Sequence, residues 1–244
     1  MNNIELNFIE LNKEYPHLHM EFLNDKYMIE GKVRIYATND EVPLIDDFTI
    51  VMEVPLVFPK ELPIIRETSN KISKSFEHVN IDKSLCLGIE TEIKIQFMKN
   101  PTLLNWFQTF VVNYFYSVMY YNKYGRIPYG ERLHGIKGII QFYIEFLNVD
   151  SIQKIYDILN AIETDNTKDY YKCPCGSFKK IRKCHLNQIN LLKKVGVKSD
   201  LKEISKLIKR KEKTIFIYPY SNEEYYRKFG WIKKYIIIEK NKKV

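Results

Sequence analysis

Ile4, Phe8 and Leu11 stand three and four residues apart, the spacing of one helical face, and Pro16 closes the run soon after. The pattern then changes period. Residues 17–23 and 27–36 alternate in part between apolar and polar positions, and residues 48–54 are dense in β-branched and apolar side chains, so three strands are expected. Asn24-Asp25-Lys26 and residues 37–41 read as turns, and connections this short imply an antiparallel meander. From residue 101 to 121 apolar positions cover most of a helix circumference, which predicts a helix buried on more than one side. Two further helices follow, over 135–147 (Ile139, Ile140, Tyr143 and Phe146 or Leu147) and over 151–162 (Ile152, Ile155, Tyr156, Leu159, Ile162). Trp106 and Trp231 read as core anchors. The fold class expected is α+β, an antiparallel β-meander flanked by helices.

Charge divides the chain where periodicity does not. Residues 168–244 hold 22 Lys and Arg against 7 Asp and Glu, whereas residues 1–167 hold 16 against 23. The polar stretch 164–170 is the expected boundary, giving units at 1–163 and 168–190 and a basic appendage at 191–244. Residues 186–195 extend the Cys/His-bearing segment as a helix, 201–211 looks like a basic amphipathic helix through Ile204, Leu207 and Ile208, and 214–218 and 235–239 resemble strands. A basic surface seeks an acidic partner, and nucleic acid is one, through counterion release; the same lysines also suit a merely solvated surface. With 45% hydrophobic residues the chain is not expected to be disordered, and four cysteines are too few for a secreted disulfide scaffold. The most apolar stretch, 106–121, is broken by Gln108 and Asn113, so no membrane span is expected. Acids at the amino terminus argue against a signal peptide, and a soluble cytoplasmic protein is the reading.

Candidate chemistry begins with the densest motif, Cys173-Pro-Cys175-Gly-Ser-Phe-Lys-Lys-Ile-Arg-Lys-Cys184-His185. Three thiols and an imidazole are the donor set zinc prefers in a closed, four-coordinate structural site. Gly176 follows the first pair, where a tight turn needs it, and no position is left open for a reacting water. These 13 residues resemble the SEC-C motif, a zinc-binding peptide found at the carboxyl terminus of the SecA ATPase and in many unrelated bacterial proteins. That resemblance implies structural zinc held by Cys173, Cys175, Cys184 and His185, and a role in binding other macromolecules.

Cys86 stands apart from the other thiols. A lone cysteine is usually a small buried hydrophobe, but here Asn80, Asp82, Lys83 and Ser84 predict an exposed loop around it. Upstream lie Phe58-Pro59-Lys60-Glu61-Leu62-Pro63 and His78-Val79-Asn80, and downstream the helix with Trp106. The order of helix, meander, Pro-rich turn, His-x-Asn and Cys-Leu resembles the ubiquitin-conjugating (UBC) fold enzymes, more closely their prokaryotic members. Residues 58–63 stand where that family has Tyr-Pro-Phe-x-Pro-Pro, residues 78–80 stand for its His-Pro-Asn, and Cys86-Leu87 for its active cysteine and following leucine. Val79 departs from the family proline, the cysteine follows His78 by fewer residues than in eukaryotic enzymes, and the loop from Pro63 to His78 is longer.

The resemblance implies that Cys86 accepts a ubiquitin-like protein as a thioester from an adenylating activating enzyme and passes it to an amine on a protein target. It implies Asn80 as oxyanion donor and His78 as the residue that orders the loop. The setting it implies is a bacterial antiphage operon, where such enzymes often occur. His134, flanked by Gly130 and Gly135, is a further candidate that polarises the thiol or the amine; the alternative is a histidine capping a helix entry. Two other classes stay open: a non-catalytic UBC- or RWD-like adaptor, and a nucleic-acid or ribosome-associated protein working through the basic, zinc-containing tail. A thiol hydrolase built on Cys86 and His134 lacks an acidic orienting residue at a recognisable spacing.

Overall fold

A computed structural model describes residues 3–39, 42–128 and 133–209. The chain is α+β and divides into two compact units. The first runs through Gly88 and resumes at Gln96–Pro128; the second joins Ile89–Ile95 to the described residues after Pro128.

In the first unit α1 (Asn3–Glu14) buries Ile4 and Leu11, and the chain turns into β1 (Leu18–Leu23), β2 (Lys26–Asn39), β3 (Val42–Pro55) and β4 (Ile64–Glu67). The strands form one antiparallel sheet in sequential order, the meander that short turns require. Burial alternates along β2 and β3. Ile29, Val33 and Ile35 of β2 and Phe48, Ile50 and Met52 of β3 are almost fully buried. The opposite face carries Lys32, Arg34 and Asp47, where Asp47 Oδ1 accepts from Arg34 Nε at 2.8 Å and Lys32 Nζ lies 2.9 Å from Asp47 Oδ2. Hydrogen bonds from Arg34 and Lys32 hold the Asp47 carboxyl well below the usual carboxylate range. This cross-strand pairing explains a difference from the sequence reading. Residues 37–39, expected within a turn, continue β2, and β3 begins at Val42 rather than at residue 48, with Asp47 matched by Lys32 and Arg34 of β2 and Asp46 by Lys71. Gly31 (φ +146°) permits close approach of β1: a Cβ there would sit 2.1 Å from the His17 carbonyl oxygen.

The helical layer of this unit is a rod made of α3 (Leu103–Trp106), a π-helical turn (Phe107–Val111) and α4 (Val112–Tyr124). Phe115 stacks on Phe48 of β3 at 4.2 Å, and the Tyr116 hydroxyl donates to the Val42 carbonyl at 3.1 Å. The rod is entered through Thr102, whose Oγ1 accepts from the Asn105 N–H, while Asn7 of α1 accepts from the Leu103 N–H at 2.9 Å. Trp106 is 1% exposed, a core anchor as its setting predicted. Two short elements escaped the sequence reading, β4 and the helix α2 (Glu90–Phe97), each too brief for a period to register.

In the second unit α5 (Gly135–Leu147), α6 (Ile152–Glu163), α7 (Leu186–Val195) and α8 (Lys198–Lys209) share one core, to which Ile140, Leu147, Ile158, Ile181, Ile189 and Ile204 contribute fully buried side chains. That shared core sets the division after Pro128 instead of at the polar stretch 164–170: α5 and α6 bury their apolar stripes with the helices that follow them. Inside this unit Asp200 is buried, its Oδ2 accepting from Thr91 Oγ1 at 2.5 Å and from the Tyr143 hydroxyl at 2.8 Å. Burial raises the Asp200 carboxyl above its ordinary range, against the lowering effect of those two hydrogen bonds. The expected strands at 214–218 and 235–239, the end of the helix expected over 201–211, and Trp231 lie outside the described residues. Among the described residues no helix is long and apolar enough to cross a membrane.

Candidate functional site

Two short hairpins carry the chemistry, one in each unit. The first is built from residues 78–86. The Asn80 N–H donates to the Ser84 carbonyl at 2.8 Å, the Cys86 N–H donates to the His78 carbonyl at 3.0 Å, and Val79 bridges Leu85. A tight turn closes it, with the Lys83 N–H donating to the Asn80 carbonyl at 2.9 Å and Lys83 at φ +65°. Period-two geometry puts His78, Asn80, Ser84 and Cys86 on one face of this ladder. The hairpin is tied into the sheet, because the Leu85 N–H donates to the Ile65 carbonyl of β4 at 2.8 Å. It is tied to the helical rod as well, because the Tyr114 hydroxyl donates to the His78 carbonyl at 3.0 Å.

Cys86 is half-buried. Burial pushes its thiol above the ordinary value, opposed by a backbone hydrogen bond from Gly88. Asn80 is exposed, and its Nδ2 donates to Ser84 Oγ at 2.9 Å. Ser84 Oγ in turn donates to Asp82 Oδ1 at 2.6 Å. Arg66 then closes the relay: its Nη2 lies 3.3 Å from Asp82 Oδ2, its Nε donates to the Asp82 carbonyl at 3.2 Å, and its Nη1 pairs with Glu53 of β3. Arg66 and Tyr114 were not singled out from sequence, and Asp82 and Ser84 were read only as loop residues. The Asp82-x-Ser84 spacing of a side-chain-closed turn was the available signal for two of them, and none marked Tyr114 among the other helix aromatics. Of the Pro-rich segment, Phe58 is buried with its ring 5.7 Å from Phe97 of α2, and the Phe58–Pro59 peptide is cis. His134 belongs to the second unit. It is exposed at the N-cap position of α5, and its side chain makes no capping hydrogen bond there.

The second hairpin spans residues 171–181. Lys172 bridges Lys180, the Cys173 N–H donates to the Lys179 carbonyl at 2.7 Å, and the Gly176 N–H donates to the Cys173 carbonyl at 3.2 Å. Gly176 holds the left-handed conformation (φ +79°) that its turn demands. A single 3-10 turn, Ile181–Lys183, then delivers Cys184 and His185 to the start of α7. Cys173, Cys175, Cys184 and His185 bring their ligand atoms within 4.8 Å of one another, a cluster that could hold a metal ion. His185 Nδ1 lies 3.2 Å from both Cys173 Sγ and Cys184 Sγ, and Cys175 Sγ lies 3.5 Å from Cys184 Sγ. The imidazole's other nitrogen fixes its tautomer. Nε2 lies 2.7 Å from the Leu147 carbonyl at the end of α5, and a carbonyl can only accept, so the proton is on Nε2 and the Nδ1 lone pair faces the sulfurs.

Neither a protein-family model nor a curated protein sequence matches the chain. Among solved structures it is similar to the yeast Vps23 UEV domain, crystallised in complex with a Vps27 PSDP peptide. The likeness is 18% in sequence, covers 47% of this chain and 77% of that one, and has a TM-score of 0.32, so the fold rests on the topology of the chain itself.

Proposed function

We propose that the first unit is a ubiquitin-conjugating-like acyltransferase that carries a ubiquitin-like protein on Cys86. The observation that carries this reading is the single hairpin face shared by His78, Asn80 and Cys86, tied to the end of a four-stranded meander. In loading, the Cys86 thiolate attacks the thioester carbonyl on the activating enzyme. A new C–S bond forms, and the activating enzyme's thiolate leaves. In discharge, an uncharged amine on a protein target attacks the Cys86 thioester, an amide forms, and the Cys86 thiolate leaves while the amine's surplus proton passes to solvent. Each addition places negative charge on the carbonyl oxygen. In discharge the Asn80 amide is the donor for that charge, and it must exchange its bond to Ser84 for one to the oxyanion. His78 orders the loop through its backbone carbonyl, which accepts from both Cys86 and Tyr114. ATP is used by the activating partner, and an antiphage operon is the proposed setting.

The same proposal assigns structural zinc to the second hairpin. Bond lengths of about 2.3 Å to sulfur and about 2.0 Å to nitrogen make tetrahedral ligand–ligand edges of about 3.5–3.8 Å. Three of the six ligand pairs here stand 3.2–3.5 Å apart and all lie within 4.8 Å, so a small closure or opening of side-chain torsions suffices. The donor set and the Nε2 bond to Leu147 both fit a closed site, in which zinc supplies folding energy and no reaction.

The transfer reading is tested by adding ATP and the pure chain to extract of its native host. A mass-shifted species should form, dependent on ATP, cleaved by thiols and by neutral hydroxylamine, and absent in Cys86→Ser. A species that resists hydroxylamine is a disulfide and overturns the reading; so does an unchanged species in Cys86→Ser.

A further inference from the structure

The knuckle at residues 171–181 carries three local costs that its own fold does not repay. Phe178 is 82% exposed, a large aromatic ring held out in solvent at the tip of the turn. Its backbone sits at φ +61°, a conformation that glycine adopts freely and a bulky side chain rarely does. Lys172 and Lys180 are cross-strand partners, which sets two like charges on the same face of a two-stranded ladder, an unfavourable pairing. Lys168, Lys172, Lys179, Lys180, Arg182 and Lys183 are all exposed within sixteen residues that contain one carboxylate, Asp169, which pairs with Arg182 at 4.0 Å. Among the described residues, Lys172, Lys179, Lys180 and Lys183 form no ion pair. A flexible polyanion with stacking faces relieves the first and the third of these costs together: its phosphates separate the lysines, and a base covers the ring that the backbone strain holds out.

We propose that this knuckle binds single-stranded nucleic acid, with a base stacked on Phe178 and the phosphates threaded past Lys172, Lys179, Lys180 and Lys183. The site is independent of Cys86 and does not require the transfer reading. An acidic protein surface would satisfy the lysines but gives the tip ring no flat partner. A duplex would satisfy the lysines too, but its bases are already stacked on one another and leave nothing for the ring. Lysines after residue 209 add a sequence-blind attraction to any polyanion, so Phe178 is the residue that separates the proposal from charge alone.

The test uses the full chain as purified and a fluorescein-labelled 20-nucleotide oligouridylate, followed by fluorescence anisotropy at about 50 mM salt. Binding with Kd of order 10⁻⁶–10⁻⁴ M is expected, weakening with salt. Phe178→Ala should weaken binding about ten-fold or more while leaving the salt slope unchanged, and Phe178→Trp should restore it. Lys179→Gln with Lys180→Gln should flatten the log–log salt slope by about 1.4. Metal content equal to the parent's shows that each variant keeps the knuckle. Failure of the parent to bind, parent-like affinity in Phe178→Ala, or equal competition from a duplex of the same length overturns the proposal. Equal displacement per charge by polyglutamate overturns it as well and assigns the patch to an acidic protein.

Discussion

Each unit brings cysteine and histidine together at a hairpin of about ten residues, the second with Cys184 and His185 added from the turn that follows it, yet the two are built for opposite ends. In the first, one thiol stands half-buried beside polar groups that already hold one another: Asn80 on Ser84, Ser84 on Asp82, Asp82 on Arg66. In the second, three sulfurs converge on one imidazole nitrogen whose partner nitrogen is spoken for by Leu147. The difference lies in what surrounds the sulfur and not in the residue types. A thiol kept single, with donors on the same hairpin face, suits a bond that forms and breaks; thiols gathered within van der Waals reach suit a bond that stays. On the proposed reading the four cysteines divide into two chemistries by neighbourhood alone.

The comparison breaks first at the knuckle. His185→Ala should strip the metal, measured as one zinc per chain falling to none, and should unfold the helices around it, seen as lost helical circular dichroism near ambient temperature; apparent structural zinc energies of about 10–16 kcal/mol set the ceiling. Cys86→Ser should change neither readout, and a fall in zinc content there would erase the division between the hairpins. Next in size is Asn80→Ala in the transfer assay, where discharge to a free amine should slow by ~10²–10³ while loading of Cys86 persists. Equal loss of both steps would make Asn80 a loop-forming residue only.

A third expectation sharpens the contrast in burial. Asp200→Ala leaves the Thr91 and Tyr143 hydroxyls without their acceptor inside the second unit and should cost about 2–4 kcal/mol by denaturant unfolding, whereas Asp200→Asn keeps an acceptor. Because the folded-state carboxyl titrates above its unfolded value, its contribution is fully present below about pH 4 and is lost as pH rises through the folded value. Asp200→Asn should therefore match the parent in acid and gain on it toward neutral pH; a gap that widens in acid would contradict the assignment. The smallest effect is kinetic. Burial raises the Cys86 thiol, so its alkylation by iodoacetamide should climb about ten-fold per pH unit from pH 7 to 9 with no plateau, where a depressed thiol would level off.

Much of the fold was legible because its signals are long. Helices over 101–121, 135–147 and 151–162 announced themselves by period, and so did the meander, through short polar turns. The far half of the β2–β3 hairpin was not, since residues 37–41 read locally as a turn and no period marks 42–47, where Asp47 meets Arg34 across the hairpin and Asp46 meets Lys71. The metal cluster was readable from spacing, because thiols and imidazole within 13 residues have few other uses. The setting of Asn80 was not: the sequence placed it near Cys86, and the structure turns its amide onto Ser84, a partner that tertiary geometry chooses. The split of the chain after Pro128 was hidden for the same reason, as charge marks surfaces while cores mark units.

If the cluster holds its proposed ion, the bond from His185 to the last residue of α5 makes ion capture and helix association two sides of one equilibrium. Whatever loosens the helices, such as Leu192→Ala in their shared interior, must weaken the grip on the ion by the same free energy, and chelation must loosen the helices in return. The abundance of intact second unit in a cell would then track the free concentration of that ion.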